Sequence, residues 1–337
     1  MVRRILAAAI TLALAALLLV ACWPQLLGLE QTTGIVQLVA VRGVAVLVAI
    51  LLAVLLTLFA LLVAPARRFL AGLAVLLLGF AVVSAGVLSI RGFAGGAFQT
   101  IADGDLVVLS WNTLGDAPGA ETIASLAVEQ EADVVALPET SREAGDAVAA
   151  LLAAAGRPVQ VLALQYDTVS KARTTVLLVS TALGEYRVTS DARTTPTLPS
   201  VVAVPVDGSG PTIVAAHPVA PVPGEMANWR AGLAWLAERC ADPDADVVVA
   251  GDLNSTLDHW ARFGSDTGLA ACHDAARVVG AAALGTWPTR MPAALGSPID
   301  HVLATAAWEV VGFRVLDAED AAGSDHRPIV AQLRRAG

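Results

Sequence analysis

Lysine is almost missing from this chain: Lys171 is the only one in 337 residues, so a site for anions would have to use arginine, histidine, backbone amides or a metal ion. Charge of either sign is nearly absent from the first part. Of 30 acidic residues only Glu30 precedes Arg91, and of 21 basic residues six lie at or before it, which leaves the rest of the chain near −14. Such an acidic balance disfavours broad nucleic-acid binding, which depends on Lys and Arg neutralising phosphates and releasing counterions, although a local basic pocket stays open. Cysteine is scarce too. Beyond Cys22 there are only Cys240 and Cys272, and both a disulfide and two buried thiols are open readings. There is no repeat at solenoid or propeller period. His259, His273 and His301 do not have zinc-site spacing and read as structural or surface residues, with His301 pointing away from Asp300 as the next residue of a strand.

What fills the uncharged part is long apolar runs. Ile5 to Cys22, Gly34 to Ala64 and Phe69 to Ile90 are each long enough to cross a hydrocarbon core, which takes ~20 apolar residues in a helix. The first has a second reading as a cleaved signal peptide, because Arg3 and Arg4 precede it and Leu19-Val20-Ala21-Cys22 resembles a lipoprotein cleavage box. Arg3, Arg4, Arg67 and Arg68 on one side against Arg42 and Arg91 on the other give a multi-pass cell-membrane topology with everything after Ile90 outside the cytoplasm. The expected organisation is a membrane domain over 1–91, a glycine-rich linker over 92–104 and a soluble domain over 105–337.

In the soluble part, strand-like runs alternate with amphipathic segments. Leu106–Trp111, Asp133–Leu137, Thr175–Ser180, Val201–Val206, Thr212–Ala216, Asp246–Ala250, Ile299–Ala304 and Pro328–Leu333 read as strands, and Ala120–Glu131, Arg142–Ala155 and Glu225–Cys240 as helices. This is the pattern of a layered α/β domain. Proline-rich Thr195–Ser200, His217–Gly224 and Trp287–Pro298 read as surface loops near strand ends.

Polar blocks follow or end several of these apolar runs: Trp111-Asn112-Thr113, Leu137-Pro138-Glu139-Thr140, Gly251-Asp252-Leu253-Asn254, Ile299-Asp300-His301 and Ser324-Asp325-His326-Arg327-Pro328. Glu139, directly after a strand, suits Mg²⁺, which takes one or two carboxylates plus water and phosphate; taken alone it is also an ordinary strand-end residue. Asp252 and Asn254 alternate around Leu253, so both can face a water while Leu253 packs inward, but the same four residues fit an Asx turn. Asp300 near His326 would hold the ring's tautomer and favour its charged form, with Asp325 beside it. Arg327 reads as a local salt-bridge partner.

In this order and spacing the blocks resemble the endonuclease/exonuclease/phosphatase superfamily, the DNase I-like fold, over nearly all of residues 105 to 335. That resemblance implies a four-layer sandwich of two β-sheets flanked by helices and a Mg²⁺-dependent hydrolase, with Mn²⁺ as a substitute ion. It implies metal roles for Glu139, Asn112 and Asp325. It implies that Asp252 orients or deprotonates the attacking water, that Asn254 holds it, and that His217, in Ala215-Ala216-His217-Pro218, contacts phosphate or donates a proton. Asp300 would orient His326, and Asp252 and His326 remain rival general bases. Pro138 departs from the glutamine many members carry there. Three amino-terminal helices before such a domain also resemble the VanJ-like teicoplanin-resistance membrane phosphatases, which act on prenyl pyrophosphate. This favours a membrane lipid or lipid-linked phosphate as substrate over two other readings, a surface nuclease and an inactive binding or structural protein. Thr286-Trp287-Pro288 and Met291 have two readings, an apolar edge beside the site and the ordinary packing of a loop aromatic.

Overall fold

The computed structural model describes every residue except 95, 97, 168, 190–193, 265 and 266, so residues 95 and 97 of the expected linker lie outside the described residues. The chain divides into two compact units, Met1–Arg91 and Gly92–Gly337.

The first unit is helical: α1 (Val2–Cys22), α2 (Ile35–Ala40), α3 (Arg42–Leu62) and α4 (Arg67–Arg91). Three helical stretches, Val2–Cys22, Arg42–Leu62 and Ala64–Arg91, are long and apolar enough to cross a membrane, with mean hydropathies of 2.8, 3.2 and 2.6. The second expected span is interrupted at Val41, where φ −107° and ψ 41° leave the helical region. Helix contacts use small residues, Ala49 and Ala53 with Ala74 and Ala81, which let backbones approach closely. Leu51, Leu55, Leu58 and Leu62 face outward and are half-exposed or more, a surface suited to lipid rather than water.

In the second unit the chain first lays down β1 (Leu106–Ser110), α5 (Ala120–Glu129), β2 (Val134–Pro138), α6 (Arg142–Ala154), β3 (Val159–Gln165) and β4 (Thr174–Ser180). It then builds β5 (Tyr186–Val188), β6 (Val201–Pro205), β7 (Thr212–Ala216), α7 (Met226–Arg239), β8 (Val247–Asp252), β9 (Gly268–Leu269), β10 (Cys272–Asp274), α8 (Ala275–Val278) and β11 (Asp300–Ala304). Finally β12 (Trp308–Val315) and β13 (Ile329–Arg335) return to the first sheet. The sheet orders are β12-β13-β1-β2-β4-β3 and β5-β6-β7-β8-β11-β10-β9.

Alternation explains the layers. Leu106 and Val108 of β1 point into the core between the sheets, with Ala136, Leu177, Ala215, Ala250 and Val302, whereas Val107 and Leu109 pack with Ile123 and Leu126 of α5 and Val148 of α6. Both faces of β1 are therefore buried, which is why it reads as an unbroken apolar run. Two long strands were not expected. β3 is an edge strand of half-buried residues, and β12 carries a bulge between Val310 and Gly312 that breaks its period-two pattern. In the segment expected as a linker, Gly96 pairs with Phe313 of β12 and Gln99 N–H donates to the Gln332 side chain at 3.0 Å. Of the two readings left open for Cys240 and Cys272, the structure has the disulfide, which joins the end of α7 to β10.

Strand direction gathers the site. β1 and β2 are parallel, and β13 runs antiparallel to β1, so its start lies beside their ends. β7 and β8 are parallel, and β11 runs antiparallel to β8, with Asp300 directly opposite Asp252. Each sheet thus brings its polar strand ends to one edge.

Candidate active site

Asn112 follows β1 and links the two sheets. Its amide Nδ2 donates to Glu139 Oε1 at 3.0 Å and to Asp252 Oδ2 at 3.1 Å, while its Oδ1 accepts from Leu114 N at 3.0 Å. The expected metal role for Asn112 would use that oxygen; here the amide nitrogen is what bridges the two carboxylates. Glu139 adopts φ +56°, a backbone region costly for a non-glycine residue. Its carbonyl is held by Thr113 Oγ1 at 2.9 Å and Gly115 N at 2.9 Å, so the block after β1 fixes the turn after β2.

In Gly251-Asp252-Leu253-Asn254 the Asx turn and the placement of the Asp252 and Asn254 side chains on one side are both present. Asp252 Oδ1 closes an Asx turn by accepting from Asn254 N at 2.9 Å, while Oδ2 turns into the site, accepting from Asn112 and from Asn254 Nδ2 at 3.2 Å. Leu253 is fully buried, as the alternation requires. Gly251, at φ +151°, passes so close to the Ala216 carbonyl that any Cβ would collide with it, which is why glycine precedes the aspartate. Asn254, at φ +45°, donates to Pro218 O at 3.0 Å and thereby ties the turn to the loop after His217.

His326 sits between two carboxylates: Nδ1 is 2.8 Å from Asp300 Oδ2 and Nε2 is 3.7 Å from Asp252 Oδ2. Burial alone would push the imidazole down, but the charges of Asp300 and Asp252 outweigh it and lift His326 to about 10. Burial likewise raises the Asp252 carboxyl, opposed by His326 and aided by Asp300, to about 7, so the two groups titrate as a pair. The His326 backbone is anchored by Ser324, whose hydroxyl donates to Asn112 O at 2.6 Å and accepts from His326 N at 3.1 Å, and by Trp111, whose indole donates to His326 O at 2.8 Å.

His217 is fully buried, with Nε2 3.7 Å from Glu139 Oε1, and neither ring nitrogen has a hydrogen-bond partner. Burial, with the His326 charge, drives it down to about 3, so the ring is neutral near pH 7. Asp325 Oδ2 accepts from the Trp287 indole at 2.8 Å, while its Oδ1 is buried without a partner. Asp300 is half-committed in the same way, with Oδ2 on His326 and Oδ1 buried without a partner, while its backbone N–H donates to Thr286 Oγ1 at 3.1 Å.

Asp252, Asp300 and His326 also offer ligand atoms within 4.8 Å of one another, a candidate metal group. Because His326 Nδ1 is already taken by Asp300, this trio has the geometry of a proton and charge relay. Glu139, Asn112 and Asp325 offer oxygen donors, the chemistry Mg²⁺ and Mn²⁺ take.

Sequence reasoning missed the supporting residues Thr113, Ser200, Thr286 and Ser324; Ser200 Oγ accepts from His217 N at 2.8 Å. Thr113 and Ser324 stand inside the polar blocks, whereas Ser200 and Thr286 lie in or next to proline-rich loops and carried no such mark. Arg327 does pair locally, with Asp320, but it also donates to the carbonyls of Gly285, Thr289 and Met291, so the expected surface loop at Trp287–Pro298 is partly buried and clamped. His301 and His259 are buried structural residues: His301 bonds Asp274 at 2.7 Å, and His259 Nδ1 accepts from Thr256 N at 2.9 Å.

The fold is shared with solved structures of low sequence identity. An endonuclease/exonuclease/phosphatase from Beutenbergia cavernae DSM 12333 is 21% identical with a TM-score of 0.51, over 69% of this chain and 72% of that one. D. rerio TDP2 humanized by 14 mutations is 20% identical with a TM-score of 0.51, over 69% of this chain and all of the other. D. rerio TDP2 complexed with single strand DNA product is 19% identical with the same TM-score and coverage. No curated protein sequence matches at a significant level. The model of the Endonuclease/Exonuclease/phosphatase family matches residues 109–326, a span that starts within β1 and ends at His326, and the chain belongs to that family.

Proposed function

We propose that this protein is a membrane-anchored, divalent-cation-dependent phosphoesterase that hydrolyses the phosphate or pyrophosphate of a membrane lipid, with its second unit outside the cytoplasm. The observation that carries the reading is the hydrogen-bonded series Glu139–Asn112–Asp252 facing His326–Asp300 at the sheet edges, in a chain whose other unit is three membrane-length helices. The arginine asymmetry and the Cys240–Cys272 disulfide, a bond of oxidising compartments, support the outward orientation. Confinement to the substrate's own membrane raises its effective concentration, which supports the lipid.

Glu139 and Asp325, with Asn112 after rotation of its amide, would hold the cation. The chemistry it would supply there is polarisation of a phosphoryl oxygen and offset of its charge. Asp252, its carboxyl raised towards neutrality, takes a proton from the attacking water that Asn254 helps to hold. As the water oxygen bonds to phosphorus and the bond to the lipid-side oxygen breaks, the His326 imidazolium, oriented by Asp300, stabilises the developing negative charge. His217, neutral in the free protein, serves as a hydrogen-bond donor to a phosphate oxygen.

A nuclease reading draws on the fold-level likeness to D. rerio TDP2, whose structure holds single strand DNA product, and is opposed by the acidic charge. The test is phosphate release from a prenyl pyrophosphate by full-length protein in detergent, with and without Mg²⁺, beside Glu139→Ala. Mg²⁺-dependent release that the variant loses is the expected result. Cleavage of DNA or RNA without lipid hydrolysis would favour the nuclease, and inactivity on all of them would favour the binding or structural protein.

A further inference from the structure

Between β10 and β11 the segment 285–297 is fastened at three points, and each fastening reaches a group beside His326. Thr286 Oγ1 accepts from the backbone N–H of Ile299 and Asp300, both at 3.1 Å, and so sets where β11 begins. Arg327, 1% exposed, donates to the carbonyls of Gly285, Thr289 and Met291 at 3.1, 3.0 and 2.7 Å. Thr289 N closes the segment on Asp325 O at 3.0 Å. Between these points the Trp287 indole donates to Asp325 Oδ2 at 2.8 Å.

We infer that Trp287 is a positioning residue for the hydrolysis proposed above: its indole N–H fixes the Asp325 carboxylate through Oδ2 and leaves Oδ1 uncommitted for the reacting water or the cation. The inference rests on that reading of the site and adds to it a residue outside the polar blocks. Three facts favour it over a purely apolar role for the ring. The bond is charge-assisted and short, the kind that orients a carboxylate rather than merely satisfying it. Asp325 Oδ1 is buried without a partner, a costly state for a carboxylate that serves only structure. The backbone of the segment is held independently by Arg327 and Thr286, so the indole N–H is not needed to keep the segment in place.

Trp287→Phe keeps an aromatic wall and removes only the N–H. In full-length protein with the prenyl pyrophosphate and Mg²⁺, the variant should lose about 10- to 100-fold in kcat, as partners that orient site carboxylates do, with KM little changed. Asp325→Ala should lose more, and the double variant should be no slower than Asp325→Ala alone, because the indole acts only through that carboxylate. Wild-type kcat in Trp287→Phe, or losses that add in the double variant, would overturn the inference. A second readout does not need turnover. With ¹⁵N-labelled indoles the chain shows seven tryptophan side-chain N–H groups, and the one lost in Trp287→Phe should move in Asp325→Ala. A resonance that stays put would overturn the inference even if the substrate class is wrong, and one that moves in a protein inactive on every substrate would uphold the contact while the functional reading falls.

Discussion

Two buried histidine–carboxylate pairs meet at neighbouring residues of β11, and they differ in what each ring leaves open. Asp300 points to the sheet edge and bonds His326 at 2.8 Å; His301, next along and on the other face, bonds Asp274 at 2.7 Å. What separates them is the second ring nitrogen. In His326 it looks across 3.7 Å at Asp252, which a proton or a substrate can engage. In His301 it ends on the carbonyls of Ser255 at 2.9 Å and Pro298 at 3.1 Å, and the ring packs on Trp260 at 4.6 Å. A carboxylate beside a histidine is therefore not a catalytic sign in itself. What sets His326 apart is the nitrogen left without a hydrogen bond, and that nitrogen is what the proposed hydrolysis uses.

The sharpest way to break this contrast is to remove each ring. His326→Ala should cost about 10⁴-fold in turnover per folded molecule, near 5 kcal/mol of barrier, and also some stability, because it leaves Asp300 buried without its charge partner. His301→Ala should cost stability alone: it leaves Asp274 buried without its charge partner, with only the Arg277 N–H still donating to it, a loss of about 3–5 kcal/mol, while turnover per folded molecule stays within a few-fold. Thermal denaturation beside kinetics on the same preparations decides. If His301→Ala abolished turnover in a fully folded protein, the division into a working pair and a structural pair would be wrong.

A smaller effect is expected at the strand that carries the structural pair. Cys272 lies two residues before Asp274 and is tied to Cys240, 32 residues away, so Cys240→Ser with Cys272→Ser should cost about 3 kcal/mol by freeing that loop in the unfolded chain. The loss should appear in the unfolding midpoint and leave the pH dependence of kcat unchanged. A changed profile would mean that β10 also governs the relay at His326.

Much of the pair proposed to work in hydrolysis could be read in the sequence and almost none of the structural pair. Asn112, Glu139, Asp252, Asp300 and His326 each end or begin an apolar run, and strand alternation put Asp252 and Asn254 on one side of Leu253 and His301 on the other side from Asp300. Asp274 gave no signal, because its strand is three residues long and its partner lies 27 residues on. Trp287 offered an apolar ring in a proline-rich loop, and only the folded chain brings its N–H to Asp325, 38 residues away. Local pattern marks strand ends; it does not say which polar group, many residues off, will satisfy them.

The smallest expected effect tests the charge on His301. Both its nitrogens face acceptors, a carboxylate on one side and two carbonyls on the other, an arrangement that an imidazolium, with hydrogen on both nitrogens, satisfies in full. Burial lowers its pKa, but Asp274, through charge and hydrogen bond, and the Ser255 carbonyl raise it above the usual histidine value. A raised folded pKa stabilises the protein fully below the unfolded value of about 6.5 and loses that contribution as pH rises through the folded one. The stability gap between wild type and His301→Gln should therefore be widest below about pH 6 and narrow towards alkaline pH, read as the difference in unfolding midpoints. His326 titrates with the same sign, but it is present in both proteins and cancels from the difference. A gap that stays flat would make His301 neutral, with one nitrogen lone pair facing an acceptor, and the two pairs on β11 would then differ in charge as well as in purpose.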